Sequence, residues 1–243
     1  MVKRVIPETI ENRWDILYRD YPEIYDKFSS FVYKPTWHEE INKMFDLKDK
    51  IVADIGSGSG KSTFGLAKYA KHIIGIEPED AMRNLAIKNA KKNKIKNIEF
   101  KKGWAKKIPL GKDSVDIVIG VTLVGLGNQD NVKKFVDEAS RIVKKGGYII
   151  LVNIAPKWYG GDLAPIILGK SRSSKPAHDK ILDKSFSRLN FKYKDFYSIQ
   201  NYKSVKNIVG SYGFIFGKKA IKYIEKNKKT KIKWKLRVRY KRV

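Results

Sequence analysis

The run Ile51-Val-Ala-Asp-Ile-Gly-Ser-Gly-Ser-Gly60 decides the fold. An apolar strand leads into three glycines at alternate positions, and a helix-forming stretch follows. Glycine has no side chain to hold a ligand away from the backbone. The start of the next helix offers unpaired amide groups and the positive end of a helix dipole. The turn therefore reads as a cradle for a ligand. Two familiar versions of such a cradle fail on spacing. A Walker-type phosphate loop needs glycine five residues ahead of Gly60-Lys61-Ser62, where Ile55 stands. A dinucleotide fingerprint needs glycine three residues after Gly58, where Lys61 stands.

Outward from this run, residues 50–154 alternate short apolar stretches with amphipathic ones, the pattern of repeated β-α units and a parallel sheet. Strands are expected over Ile51–Ile55, His72–Ile76, Ile98–Lys101, 115–119 and 148–153, with helices near 62–69, Asp80–Lys92 and 131–143. Asp80 reads as an N-cap, and Gly146-Gly147 as the stop of the third helix. The strands are nearly all apolar, so helices should cover both faces. Residues 1–49 read as a helical cap. Ile10, Trp14, Leu17, Tyr21, Ile24 and Phe28 recur at spacings of three and four, and Pro22 should break or restart that helix. This stripe is expected to pack on the main domain.

Residues 155–206 depart from the rhythm. Gly160-Gly161 and Pro165 interrupt it, and 170–185 is polar and loop-like. Aromatic residues such as Trp158, Tyr159, Phe191, Tyr193, Phe196 and Tyr197 make this segment a candidate lid. Residues 207–243 read as a helix near Lys218–Lys226 and a closing strand. There Ile232, Trp234, Leu236, Val238 and Tyr240 alternate with Lys231, Lys233, Lys235, Arg237, Arg239 and Lys241. Period two over this length is a strand with one face in the core and the other wholly basic. Two explanations fit that face: a track for RNA phosphates, or protection of a sheet edge by lysines, which the absence of interleaved aromatics favours.

The alternating glycines preceded by Asp54 resemble the class I S-adenosylmethionine-dependent methyltransferases. Further stretches match in order: Gly75-Ile-Glu-Pro78, Gly103-Trp-Ala-Lys-Lys-Ile-Pro109 with Asp113-Ser-Val-Asp-Ile-Val-Ile119, and Arg141 through Leu151. The resemblance implies an α/β Rossmann-like fold, with a mostly parallel seven-stranded sheet, an antiparallel C-terminal strand and one domain over 1–243. It also implies S-adenosylmethionine as cofactor. Asp54 would orient the turn and engage the methionine amino group. Gly56, Gly58 and the Gly120 backbone would approach the methionine part, and Glu77 would hold the ribose hydroxyls. Pro78 and Met82 would line the adenine side, and Trp104 and Ala105 would meet the adenine. Trp104 is a departure, because the family commonly places an acid there and indole has no acceptor to offer.

Methyl transfer is what the resemblance implies, and no catalytic base is named by it. The sulfonium carries its own leaving group, so alignment and exclusion of water come first. His38 and His178 are the candidates should an acceptor need to lose a proton. The fourth strand ends in Gly120-Val-Thr-Leu-Val124 rather than an Asn/Asp-Pro-Pro-aromatic tetrad, which weighs against methylation of exocyclic amino groups. The absence of cysteine removes disulfides and thiolate ligands, and three scattered histidines offer no zinc site, so no metal is expected. No apolar run approaches a membrane span, and the first ten residues hold no apolar signal core, so a cytoplasmic protein is expected. The net charge of +27 fits a polyanionic partner such as RNA, and fits equally a lysine-rich or thermophilic proteome. A small-molecule acceptor is favoured, with RNA and a scaffold without turnover as alternatives. Oligomeric state cannot be read from the chain.

Overall fold

The computed structural model describes residues 7–123, 126–171 and 176–243, without the side chains of Tyr18, Pro22, Ser171, Pro176, Ala177 and His178. Its strands are β1 Tyr33–Lys34, β2 Ile51–Ile55, β3 His72–Ile76, β4 Ile98–Lys101, β5 Val115–Val121, β6 Val143–Ile154, β7 Lys192–Asn201 and β8 Lys231–Arg242. The chain divides into two compact units. A sheet unit takes Trp37–Ile154, Lys175–Phe196 and Leu236–Val243, and an aromatic unit takes Met1–Thr36, Ala155–Ser174 and Tyr197–Lys235.

The strand order is β1-β7-β8-β6-β5-β2-β3-β4, eight strands rather than the expected seven, because Tyr33 and Lys34 of β1 pair antiparallel with Gln200 and Ile199 of β7. β2 to β6 run parallel. β8 runs antiparallel to β6, from Tyr148 facing Arg242 to Ile154 facing Leu236. Both faces are buried, as the unbroken apolar strands require. Ala53, Ile55, Val118 and Leu151 meet Phe135 and Ala139 of the helix Gln129–Ile142 on one face. Val52, Ile117, Ile150 and Val238 meet Ile41 and Leu66, from the helices Trp37–Phe45 and Lys61–Leu66, on the other. Each of the larger side chains, valine and above, contributes about 1.5–3 kcal/mol when withdrawn from water.

Several local expectations are corrected. Asp80 begins its helix, and Glu79 before it is the N-cap. The third helix ends at Ile142, and Gly146-Gly147 lie inside β6. There the register jumps, with Val115 facing Val143 and Ile117 facing Tyr148, and Gly146 takes a φ of +85°. The glycines therefore serve a bulge. The stretch 170–185 is not all loop, since a helix spans Pro176–Arg188 and buries Ser185 and Phe186.

β8 is also not an edge, because it lies between β7 and β6. Its outward face is not wholly basic in effect. Arg237 is forked onto Asp195 at 2.7 and 3.0 Å and lies 3.9 Å from the Tyr193 ring centre. Arg239 is buried and paired with Asp183. Edge protection therefore cannot explain this strand, and two of its six outward cations are already neutralised.

The aromatic unit has its own core. Pro22 opens the helix Pro22–Ser30 directly after Trp14–Asp20, so the proline restarts the helix. Trp14 stands edge-on to Phe28, Tyr159 and Phe216 at 6.1, 6.4 and 6.0 Å. The N-terminal stripe thus packs within this unit. Gln200, fully buried, donates to the carbonyls of Phe28 and Phe31 and accepts from the Tyr202 hydroxyl and the Trp234 indole. Every hydrogen-bonding direction of its amide, two donors and two acceptor lone pairs, is thereby used.

Candidate functional site

The order of the sheet reverses beside β2, which has β3 on one side and β5 on the other. Open α/β sheets take ligands outside the carboxyl ends of the strands at such a switch. The glycine turn leaves β2 at that end. Gly56, Gly58 and Gly60 have φ of +74°, +55° and +88°, a region costly for residues with a Cβ. The turn is tied to β3 by the Gly56 and Ser57 amides, which donate to the Ile76 carbonyl at 2.8 and 3.1 Å. At Gly56 a Cβ would come within 2.7 Å of Leu123 Cδ1, so the turn passes directly beneath that side chain.

Asp54, at the core of β2, is fully buried. Its Oδ2 accepts from the hydroxyls of Ser62 and Thr63, each at 2.7 Å, while Oδ1 is buried with no partner among the described residues. Burial pushes its carboxyl up to about 6, against the lowering pull of the two hydroxyls and with the Glu77 charge adding to the rise. Glu77, at the end of β3, is 7% exposed. Its Oε2 accepts from the Gly58 amide at 2.8 Å and its Oε1 from the Glu79 amide at 3.0 Å. Each carboxylate oxygen keeps a further lone pair.

Met82, on the helix Asp80–Lys92, lies over the turn, its Cε 3.7 Å from where a Cβ on Gly58 would stand. Pro78 is half-buried beside Glu77. The Lys102–Lys107 segment lies alongside, since the Glu77 amide donates to the Lys101 carbonyl at 3.1 Å and Lys102 reaches Asp80 at 3.2 Å. Ala105 packs inward against the core, while Trp104 is 49% exposed. Gly120, one residue before the end of β5, lies beneath Leu123 and Leu151. The structure therefore brings Asp54, Gly56, Gly58, Glu77, Pro78 and Met82 around one turn, with Gly120 joined to it through Leu123.

The two histidines fare differently. His38 packs on Trp37 at 3.7 Å and fills the space a side chain at Gly65 would need. Burial, with Lys68 adding to it, drives its pKa down to about 4. That makes it a neutral packing residue between two helices and a weak base. The His178 side chain lies outside the described residues. Ser62, Thr63 and Leu123 did not figure among the expected site residues. Ser62-Thr63, one intervening residue beyond the last glycine, is the available signal for the first two, and Leu123 has none.

A parallel sheet with its last strand reversed, a glycine turn after the central strand and an acid ending the next define the class I methyltransferase fold. Residues 53–151, under half of the chain, match the family described as a methyltransferase domain. A protein of Dictyostelium discoideum named as a methyltransferase is 33% identical over 135 residues, 52% of this chain and 48% of its own. The ubiquinone/menaquinone biosynthesis C-methyltransferase of Campylobacter jejuni is 29% identical over 133 residues, 52% of this chain and 54% of its own. The chain thus spans about half the length of the curated relatives it matches. The crystal structure of YcgJ from Bacillus subtilis shares the fold, with a TM-score of 0.54 at 19% identity, over 85% of this chain and 98% of that one. Among the described residues no helix is long and apolar enough to cross a membrane.

Proposed function

We propose that this chain binds S-adenosylmethionine at the glycine turn and transfers its methyl group. The observation that carries the reading is the buried, unpartnered Oδ1 of Asp54 behind a turn of left-handed glycines. A buried carboxylate oxygen without a partner is costly, and an ammonium or its bound water is the complement it lacks. The methionine part of the cofactor carries that ammonium. Glu77, with its oxygens oriented by two backbone amides, has lone pairs left for ribose hydroxyls. When bound, the cofactor supplies an activated methyl group on a sulfonium. The residues here have to orient and shield, and none of them is assigned as a base.

The acceptor has two readings. A small molecule comes first, because relatives matched over about half their length include, by name, a ubiquinone/menaquinone biosynthesis C-methyltransferase and a demethylmenaquinone methyltransferase. RNA comes second, on the strength of the lysine-rich stretch 88–107 that includes Trp104. Calorimetry tests the cofactor step. S-adenosylmethionine and S-adenosylhomocysteine should bind tightly and NAD and ATP should not, and Glu77→Gln should weaken binding roughly ten- to a hundredfold through about 1.5–3 kcal/mol of lost charge-assisted hydrogen bonding. Tighter binding of NAD or ATP would refute the assignment.

A further inference from the structure

Nine lysines lie between Lys88 and Lys107, against a single acid, Glu99. They are not distributed as protection of a sheet edge requires. β4 ends the strand order, yet it reads Ile98-Glu99-Phe100-Lys101, and its one lysine pairs with Glu99 at 3.4 Å. The other eight flank the strand: five on the end of the helix Asp80–Lys92 and the loop after it, three on the turn after β4. All eight are exposed, and apart from Lys102 on Asp80 their side chains form no ion pair among the described residues. Protection of an edge places charge on the strand itself.

A surface kept cationic only for solubility also has no use for a large exposed ring. Trp104 stands between Lys102 and Lys106, 49% exposed, with no aromatic neighbour among the described residues. Its backbone is held in a short turn, donating to the Lys107 carbonyl at 3.3 Å and accepting from the Lys107 amide at 2.9 Å. An anionic membrane would call for several apolar side chains at one level. Here the large exposed apolar residues between 80 and 107 are Trp104 and Leu85.

We infer that this surface docks single-stranded RNA, with the lysines on phosphates and a base stacked on Trp104. Unpaired cations at both ends of the short strand β4, with the exposed ring of Trp104 at one of them, supply the two elements that sequence-tolerant binding of single strands uses. The inference carries the RNA reading of the acceptor; it takes Trp104 away from the adenine contact that the resemblance implies, and leaves the cofactor assignment resting on Asp54 and Glu77.

The test is fluorescence anisotropy with a labelled oligouridylate, titrated at several salt concentrations. Log affinity should fall linearly with log salt, by about 0.7 per phosphate contact. The variant K91Q/K92Q/K106Q/K107Q should flatten that slope by roughly three, while K231Q/K233Q on β8 should leave it unchanged. Trp104→Ala should lower affinity about five- to a hundredfold with the slope retained, because it removes stacking and no charge. S-adenosylhomocysteine affinity should be the same in the four-lysine variant as in the wild type, which separates this surface from the cofactor site. An unchanged slope in that variant, an inert Trp104→Ala, or tighter lysine-dependent binding to phosphatidylserine vesicles than to RNA would overturn the inference.

Discussion

Asp54 is a buried acid with one oxygen satisfied and one not, and that asymmetry has consequences for both stability and binding. Its carboxyl titrates at 3.8 when exposed and at about 6 in the fold. Between those values the native state holds the extra proton, so stability should fall as pH rises from roughly 4 to 6, by about 3 kcal/mol at most. Above that window the free protein carries a buried anion with one oxygen unpartnered. Asp54→Asn removes the charge and keeps an oxygen for Ser62 and Thr63. Above pH 6 it should therefore raise the melting temperature of the free protein by a few degrees, at about 2–4 °C per kcal/mol for a chain of this size. Cofactor affinity should move the other way, falling in the variant and losing its rise between pH 5 and 7. Differential scanning fluorimetry and calorimetry across that range check both signs. A variant that is less stable at pH 7.5 and binds normally would make Asp54 a structural carboxylate alone.

At the scale of elements, the C-terminal strand depends on neighbours from a distant part of the chain. Arg239 is held by Asp183 of the helix Pro176–Arg188, and its burial pulls its pKa down while Asp183 opposes that shift. Asp183→Ala leaves a buried guanidinium without its partner. Because Asp183 is itself 39% exposed, water recovers part of the loss, and about 1–3 kcal/mol of destabilisation is expected rather than the full cost of orphaning a buried charge. Urea denaturation should show this as a lower midpoint with an unchanged m-value, and Asp183→Glu should restore part of it. No change in midpoint would mean that Arg239 finds other acceptors.

These same elements mark where the sequence was legible and where it was not. The β2–β6 core was readable because apolar runs and glycine punctuation are local signals, and four of its five expected strands fall within two residues of the observed bounds. The glycine turn, Asp54 and Glu77 were readable for the same reason. The helix Pro176–Arg188 hid because its large apolar positions, Ile181, Leu182 and Phe186, are few and set among charges. The basic alternation of β8 was read correctly as a strand, but strand order is a long-range property. Its acids, Asp183 and Asp195, lie 56 and 42 residues from their partners. Local periodicity carries no trace of such pairs, so an interior strand could pass for an edge.

For the whole molecule the governing quantity is a net charge of +27. Folding gathers these charges from an expanded chain into a compact one, which self-repulsion opposes. Many of the cations have no anion to meet, with 52 lysines and arginines against 25 acids. Salt should therefore stabilise the free protein. Raising ionic strength from about 0.01 to 0.15 M shortens the screening length from about 30 to 8 Å, which damps repulsion between distant surface lysines. Partly buried pairs such as Arg237 with Asp195 are screened much less. If about 1–2 kcal/mol of repulsion is relieved, the melting temperature should rise by roughly 2–8 °C over that range. Chloride salts are the right choice, because sulfate would also strengthen apolar burial. A melting temperature that falls with added sodium chloride would show instead that attractive surface pairs outweigh the excess of like charge, leaving little unpaired positive field for any polyanion.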